Sequence, residues 1–221
     1  MKYKFKSNYQ YINSVTGVES QHVIQDEPMI YGGSWKWCRQ NAGPLTNNIM
    51  DKIIKDVEKE IYRHSLMGYH PVIDTKSVML MQDFYPCIPG WHCDGVVRKD
   101  RSSQPDLSTL NNDIKHYICH IDTEHDLCNT AFMNTDLYLD VDENKVWQSV
   151  SKRIDKISDD SFIDILQAGH ILKFSRSTLH KCMPATTRGW RYFFRLSFYH
   201  MPAMNQIRKQ VQVYTDIHSG W

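Results

Sequence analysis

Apolar residues recurring at intervals of four mark one long helix. Ile49, Ile53, Val57 and Ile61 keep that spacing and Ile54 joins their stripe, so segment 46–67 carries a single apolar face. Asp51 and Lys55 add an i,i+4 pair on the wet side, and Gly68 and Pro71 supply the stop. Beyond this helix the texture shortens to strands. Segments 78–83, 115–122, 171–174 and 190–200 read as strands, 130–141 as one or two more, and 145–150 and 162–166 as weaker candidates. Segment 207–215 reads as a closing edge strand. Many short strands at close spacing predict a mainly β fold with flanking helices, of jelly-roll type, with the helix against one face.

The strand at 190–200 alternates informatively. Tyr192, Phe194, Leu196 and Phe198 share one face and read as core, while Arg191, Phe193, Arg195, Ser197 and Tyr199 share the other. Two guanidiniums and a hydroxyl on one face suit a carboxylate, which an arginine fork binds with two parallel hydrogen bonds. The polar stretch 98–113 has no apolar period and sits where a lid over a site could lie.

Composition narrows the classes of function. Six Trp, twelve Tyr and eight Phe favour a β-rich fold around an aromatic-lined cavity. A net charge of +1 gives no strong field toward duplex nucleic acid or an anionic membrane, although a single flipped base or a local basic channel stays open. Lys2, Lys4 and Lys6 read as a solvated strand end. No segment approaches the ~20 apolar residues of a membrane span, and the start lacks the apolar core of a secretory signal. The expectation is therefore a cytoplasmic protein whose six cysteines are reduced thiols or metal ligands rather than a disulfide framework.

The chemistry concentrates in the run Pro86-Cys87-Ile88-Pro89-Gly90-Trp91-His92-Cys93-Asp94-Gly95. On an extended chain, side chains two apart share a face and stand about 6–7 Å apart at the backbone. His92 and Asp94 can thus converge on one ion while Cys93 points away. A third ligand has to come from another strand, and His180, after the apolar strand 171–174, is the best placed; His170, in a turn after Gly169, is its rival. Two imidazoles and a carboxylate on one face of an ion leave the other face open, as in non-haem Fe(II) oxygenases. A second metal reading is a structural zinc site at Cys119, His120, His125 and Cys128, although adjacent strand residues such as Cys119 and His120 point to opposite faces.

Together these residues resemble the Fe(II)/2-oxoglutarate-dependent dioxygenases, a double-stranded β-helix family whose pattern is His-x-Asp, a distal His, then an Arg on the last core strand. The resemblance covers about 78–200, and its distal half is somewhat similar to the phytanoyl-CoA hydroxylase branch. It implies one domain over 1–221: an N-terminal extension 1–77 with the helix, a jelly-roll core 78–200 and a C-terminal edge segment 201–221. It further implies Fe(II) held by His92, Asp94 and His180, with 2-oxoglutarate and O2 as cosubstrates. The far carboxylate of 2-oxoglutarate would meet Arg191, as Thr187-Arg188-Gly189-Trp190-Arg191 suits one branch, or Arg195 with Ser197, as the Arg-x-Ser pattern of others suits. The presence of Asp94 implies hydroxylation or oxidative demethylation rather than halogenation. Tyr85 is a further candidate contact to the cosubstrate, Asn129 or Thr130 a candidate cavity contact, and Trp91 packing beside the metal loop. The alternative in another class is a non-catalytic jelly-roll module that binds a ligand or partner. A cupin isomerase is disfavoured, because such enzymes use several His and a Glu. The substrate is open between a small molecule and a single residue or base.

Overall fold

The longest helix forms where its period demands it. In the computed structural model, which describes residues 1–100, 102–157 and 160–215, the elements run β1 Lys2–Phe5, β2 Tyr9–Ser14, α1 Gln21–Asp26, β3 Ile30–Tyr31, β4 Gly33–Ser34, α2 Trp35–Asn41 and α3 Pro44–Ser65. They continue with β5 His70–Leu80, β6 Lys115–Asp122, β7 Thr130–Met133, β8 Leu137–Asp140, α4 Val146–Ile157, β9 Ile163–Leu166, β10 His170–Ser175, β11 His180–Cys182, β12 Gly189–Tyr199 and β13 Gln206–Ile207. Strand takes 34% and helix 25%, so the protein is mainly β.

α3 starts at Pro44, whose missing N–H is no loss in a first turn. The Glu27 carboxylate accepts from the N–H groups of Leu45 and Thr46, both at 3.0 Å, and so caps the helix from outside. Its stripe of Ile49, Met50, Ile53 and Val57 is fully buried. The partner surface is the apolar side of the central sheet: Tyr117, Cys119 and Ile121 of β6, Ile171 of β10, and Tyr192, Phe194, Leu196 and Phe198 of β12. Thr46 Oγ1 and the Tyr192 hydroxyl, 2.7 Å apart, tie helix to sheet. Because Ile53 is wholly enclosed, Ile53→Val should lower the unfolding free energy by about 0.5–1.5 kcal/mol. A denaturant midpoint that does not move would disprove the packing.

The main sheet is antiparallel with six strands in the order β2-β10-β6-β12-β5-β4. β12 is its spine, paired along its length with β5, from Gly189 against Leu80 to Tyr199 against His70, and with β6 from Arg191 to Ser197. A second sheet has the order β11-β7-β9. The His92 segment extends it: His92 N–H donates to His180 O and His180 N–H to His92 O, both at 3.0 Å. Ile118, Leu172 and Phe174 of the first sheet pack against Phe132 and Leu166 of the second. β1 pairs with β8, and β13 with β3.

The segments differ from sequence expectation in three places. Segment 145–150 is the start of helix α4, not a strand. Val146, Trp147, Val150 and Ile154 form a helical stripe, of which a six-residue window shows too little. β5 begins at His70, well before 78, because Pro71, Asp74 and Lys76 interrupt the apolar pattern of a strand that is nonetheless paired throughout. Segment 207–215 is not a continuous edge strand: Gln206 and Ile207 pair with β3, and Tyr214 makes an isolated bridge to Tyr85. Before α3, where the sequence shows only a strand end at the lysines, β2 and β4 also join the main sheet. The stretch 98–113 holds a 3-10 turn at Leu107–Thr109, with Leu107 buried in one cluster with Trp91 and Cys93. Among the described residues, no helix is long and apolar enough to cross a membrane.

Candidate metal centre

Two glycines shape the loop that presents His92 and Asp94. Gly90 and Gly95 have φ of +97° and +68°, a region that side chains with a Cβ rarely adopt. At Gly95 a Cβ would also lie 2.8 Å from His116 Cε1, so this turn closes only with glycine. Between them Trp91 and Cys93 turn into the core formed with α4 and β8. His92 and Asp94 therefore face the opposite way, toward the space between the sheets.

His92, Asp94 and His180 each bring one ligand atom into a group whose members lie within 4.8 Å of one another. The His180 Nε2 to Asp94 Oδ2 distance is 3.6 Å. Each imidazole is oriented from behind. His92 Nδ1 is 2.9 Å from Gly90 O and His180 Nδ1 is 3.2 Å from Thr178 O. A carbonyl only accepts, so Nδ1 donates in both rings and Nε2 carries the lone pair a metal requires. Arg195 does the same for the carboxylate: its NH1 donates to Asp94 Oδ1 at 3.0 Å, leaving Oδ2 toward His180.

Charge states suit metal binding. Burial, and after it the neighbouring His180, lowers the His92 pKa to about 4, so its imidazole is neutral at neutral pH. Burial would raise Asp94, but Arg195 and then His180 outweigh it and hold the carboxyl well below its usual range. A neutral His92 imidazole and an ionised Asp94 carboxylate, with His180 as the third donor, fit a divalent first-row metal.

Two cavities meet at these side chains. The inner one, about 290 Å³, runs from His92, Asp94 and His180 to Thr130 and Arg191, with Cys87 and Cys182 on its wall. That is near the lower end of the roughly 300–1,000 Å³ found for small-molecule sites. The outer one is an open groove of about 1020 Å³. Arg191 is 3% exposed. One of its terminal nitrogens donates to Thr130 Oγ1 at 3.4 Å, its Nε has no hydrogen-bond partner, and Asp122 stands off at 3.7 Å. Burial raises Asp122 to about 7 despite Arg191, so this pair is only partly neutralised. Beside them Cys87 is lowered to about 7, first by the Cys182 thiol and then, against burial, by Lys76 and Arg191.

The other candidates separate clearly. Ser197 is fully buried and paired with His116 Nδ1 at 2.8 Å, and it lines neither cavity. Tyr85 is half-buried, bonded through its backbone to Tyr214, and also lines neither. Thr130 enters the inner cavity, whereas Asn129 bonds Asp126 at 3.2 Å outside it. His170 stands apart, its ring edge on Tyr11. Trp91 packs in the core with Lys181 above its ring. Cys119 points into the helix-side core, and no metal-ligand group among the described residues includes Cys119, His120, His125 or Cys128. Sequence reasoning missed Asp74, which holds Arg195 at 3.2 Å and Arg208 at 3.3 Å, and Lys76 beside it. Both sit at strand positions hidden by the break at Pro71.

Fold and site thus define a mainly β protein with one three-residue group, among the described residues, that can hold a metal ion. Compared with models of known protein families and with curated proteins, the chain matches none.

Proposed function

We propose that this protein is an Fe(II)- and 2-oxoglutarate-dependent dioxygenase that hydroxylates, or oxidatively demethylates, a substrate and releases succinate and CO2. The observation that carries the reading is the His92–Asp94–His180 group opening onto an inner cavity with a buried, under-partnered arginine at its other end.

Strand order supports the jelly-roll reading. The path alternates between layers: β5 in the main sheet, the His92 segment in the second, β6 back in the main sheet, β7 and β9 in the second, β10 in the main, β11 in the second and β12 in the main. Eight strands wound this way give two facing four-stranded layers, β10-β6-β12-β5 and His92-β11-β7-β9, with the site between them.

Bound iron would supply the redox chemistry toward O2 that side chains lack. The rest is the chain's own work. His92, Asp94 and His180 would hold the metal, and their orientation is fixed by Gly90, Arg195 and Thr178. Arg191 and Thr130 receive the far carboxylate of 2-oxoglutarate at the inner end, where burial strengthens a charge-assisted fork. Arg195 is not that arginine, because Asp94 and Asp74 already take its two terminal nitrogens; it positions Asp94 instead. The inner cavity takes the cosubstrate, while the groove admits substrate.

Purified protein supplied with Fe(II), ascorbate, 2-oxoglutarate and air should release succinate above a metal-free control, even without substrate. No succinate with any member of a broad substrate panel, despite measurable 2-oxoglutarate binding, would favour a non-catalytic binding module.

A further inference from the structure

The groove outside the metal group is lined by Lys76, Arg98, Arg176, Arg195 and Arg208, against a single carboxylate, Asp94. The protein as a whole is nearly neutral, so this imbalance is local. Two of these cations are answered by carboxylates: Arg195 by Asp94 and Asp74, and Arg208 by Asp74. Arg176 is not. It is 5% exposed, yet it has no carboxylate partner among the described residues and its Nε has no hydrogen-bond partner. Its guanidinium lies over the Tyr69 ring at 5.9 Å, and its Nε is 3.6 Å from the space a Cβ on Gly95 would fill, next to Asp94. Burying a lone cation is costly, and buried charges are normally paired. A guanidinium kept so, lining a groove and flanked by the Tyr69 ring, is complementary to an anion from outside.

We infer that the groove takes a small molecule bearing a phosphate or carboxylate, and that Arg176 receives this anion beside Asp94 with Tyr69 flanking it. Calling the molecule a substrate rests on the dioxygenase reading; the anion site does not. The glycine at 95 keeps the approach to Arg176 open, and Lys76, also lacking an ion-pair partner among the described residues, adds to the positive lining of the groove.

The test is calorimetric titration of phenyl phosphate, benzoate and neutral benzyl alcohol. It is run anaerobically on the Fe(II)-supplemented protein with saturating 2-oxoglutarate, and again on metal-free protein. Wild type should bind at least one anion about tenfold or more tightly than benzyl alcohol, and that preference should fade as salt shortens the screening length to ~3 Å near 1 M. Preference for phenyl phosphate assigns phosphate; preference for benzoate assigns carboxylate. Arg176→Gln should cost about tenfold in anion affinity, and Arg176→Lys, which keeps charge but loses the fork, should fall between. Equal affinity for anion and alcohol in wild type overturns the inference even if Arg176→Gln fails to fold, as does unchanged anion affinity in folded Arg176→Gln. Succinate release with Arg176-independent anion binding overturns this inference alone. Arg176-dependent anion binding without any succinate release overturns the dioxygenase reading alone.

Discussion

His180→Ala is expected to abolish iron retention and turnover. Changing a residue that merely orients a ligand typically costs ~10–100-fold in metal affinity, and losing a ligand costs more. His92 and Asp94 alone grip only part of one face, and both come from the same loop. His180 is the contribution of the second strand, and its backbone is bonded in both directions to His92. Removing the buried His180 imidazole leaves the backbone pairing of β11 with β7 in place. The variant should therefore remain folded, fail to bind Fe(II) in an anaerobic titration, and release no succinate. His170→Ala, distant from the group, should behave as wild type. Iron binding and turnover surviving in folded His180→Ala would remove the basis of the proposal.

Arg191→Gln is expected to raise the half-saturating 2-oxoglutarate concentration by on the order of 100-fold, equivalent to about 2.8 kcal/mol, while Fe(II) affinity stays close to wild type. The guanidinium is buried, donates weakly to Thr130, and stands beyond hydrogen-bond distance from Asp122. Its Nε, at the inner end of the cavity, has no hydrogen-bond partner. Without it, Asp122, already raised to about 7 by burial, loses its nearest cation and becomes protonated at neutral pH, which relieves the leftover charge. Arg195→Gln should show the converse pattern, weaker Fe(II) binding with a smaller effect on 2-oxoglutarate, because Arg195 bonds the ligand carboxylate directly. If Arg195→Gln raised the 2-oxoglutarate requirement and Arg191→Gln did not, the two roles would be exchanged.

Legibility in the sequence followed the strength of the local pattern. The stripe on α3 and the alternation along β12 are regular over many residues, and the faces they assign are the faces the structure buries. Residues Lys115–Asp122 form a strand with the bounds that its apolar run marks. Patterns broken by function or by proline were harder to read. β5 carries Asp74 and Lys76 toward the site, and those charges disguise it as a loop. α4 was hidden by a short window, and the two-residue strands β3 and β4 leave almost no periodic signal.

By itself the chain determined a mainly β protein with one long amphipathic helix, and it put imidazole and carboxylate at a spacing that can share an ion. These are local properties, set by side-chain period and by the reach of an extended backbone. Only the tertiary structure decided which arginine lies under-partnered at the end of a cavity and which is spent on Asp94, that Ser197 turns to His116 rather than to the cavity, and that Arg176 is buried without a carboxylate partner among the described residues. Arg191 and Arg195 share a strand face and are alike in sequence. What separates them is the charge brought alongside by β5, β6 and the His92 loop, and such neighbours are chosen by sheet order, which no local pattern encodes.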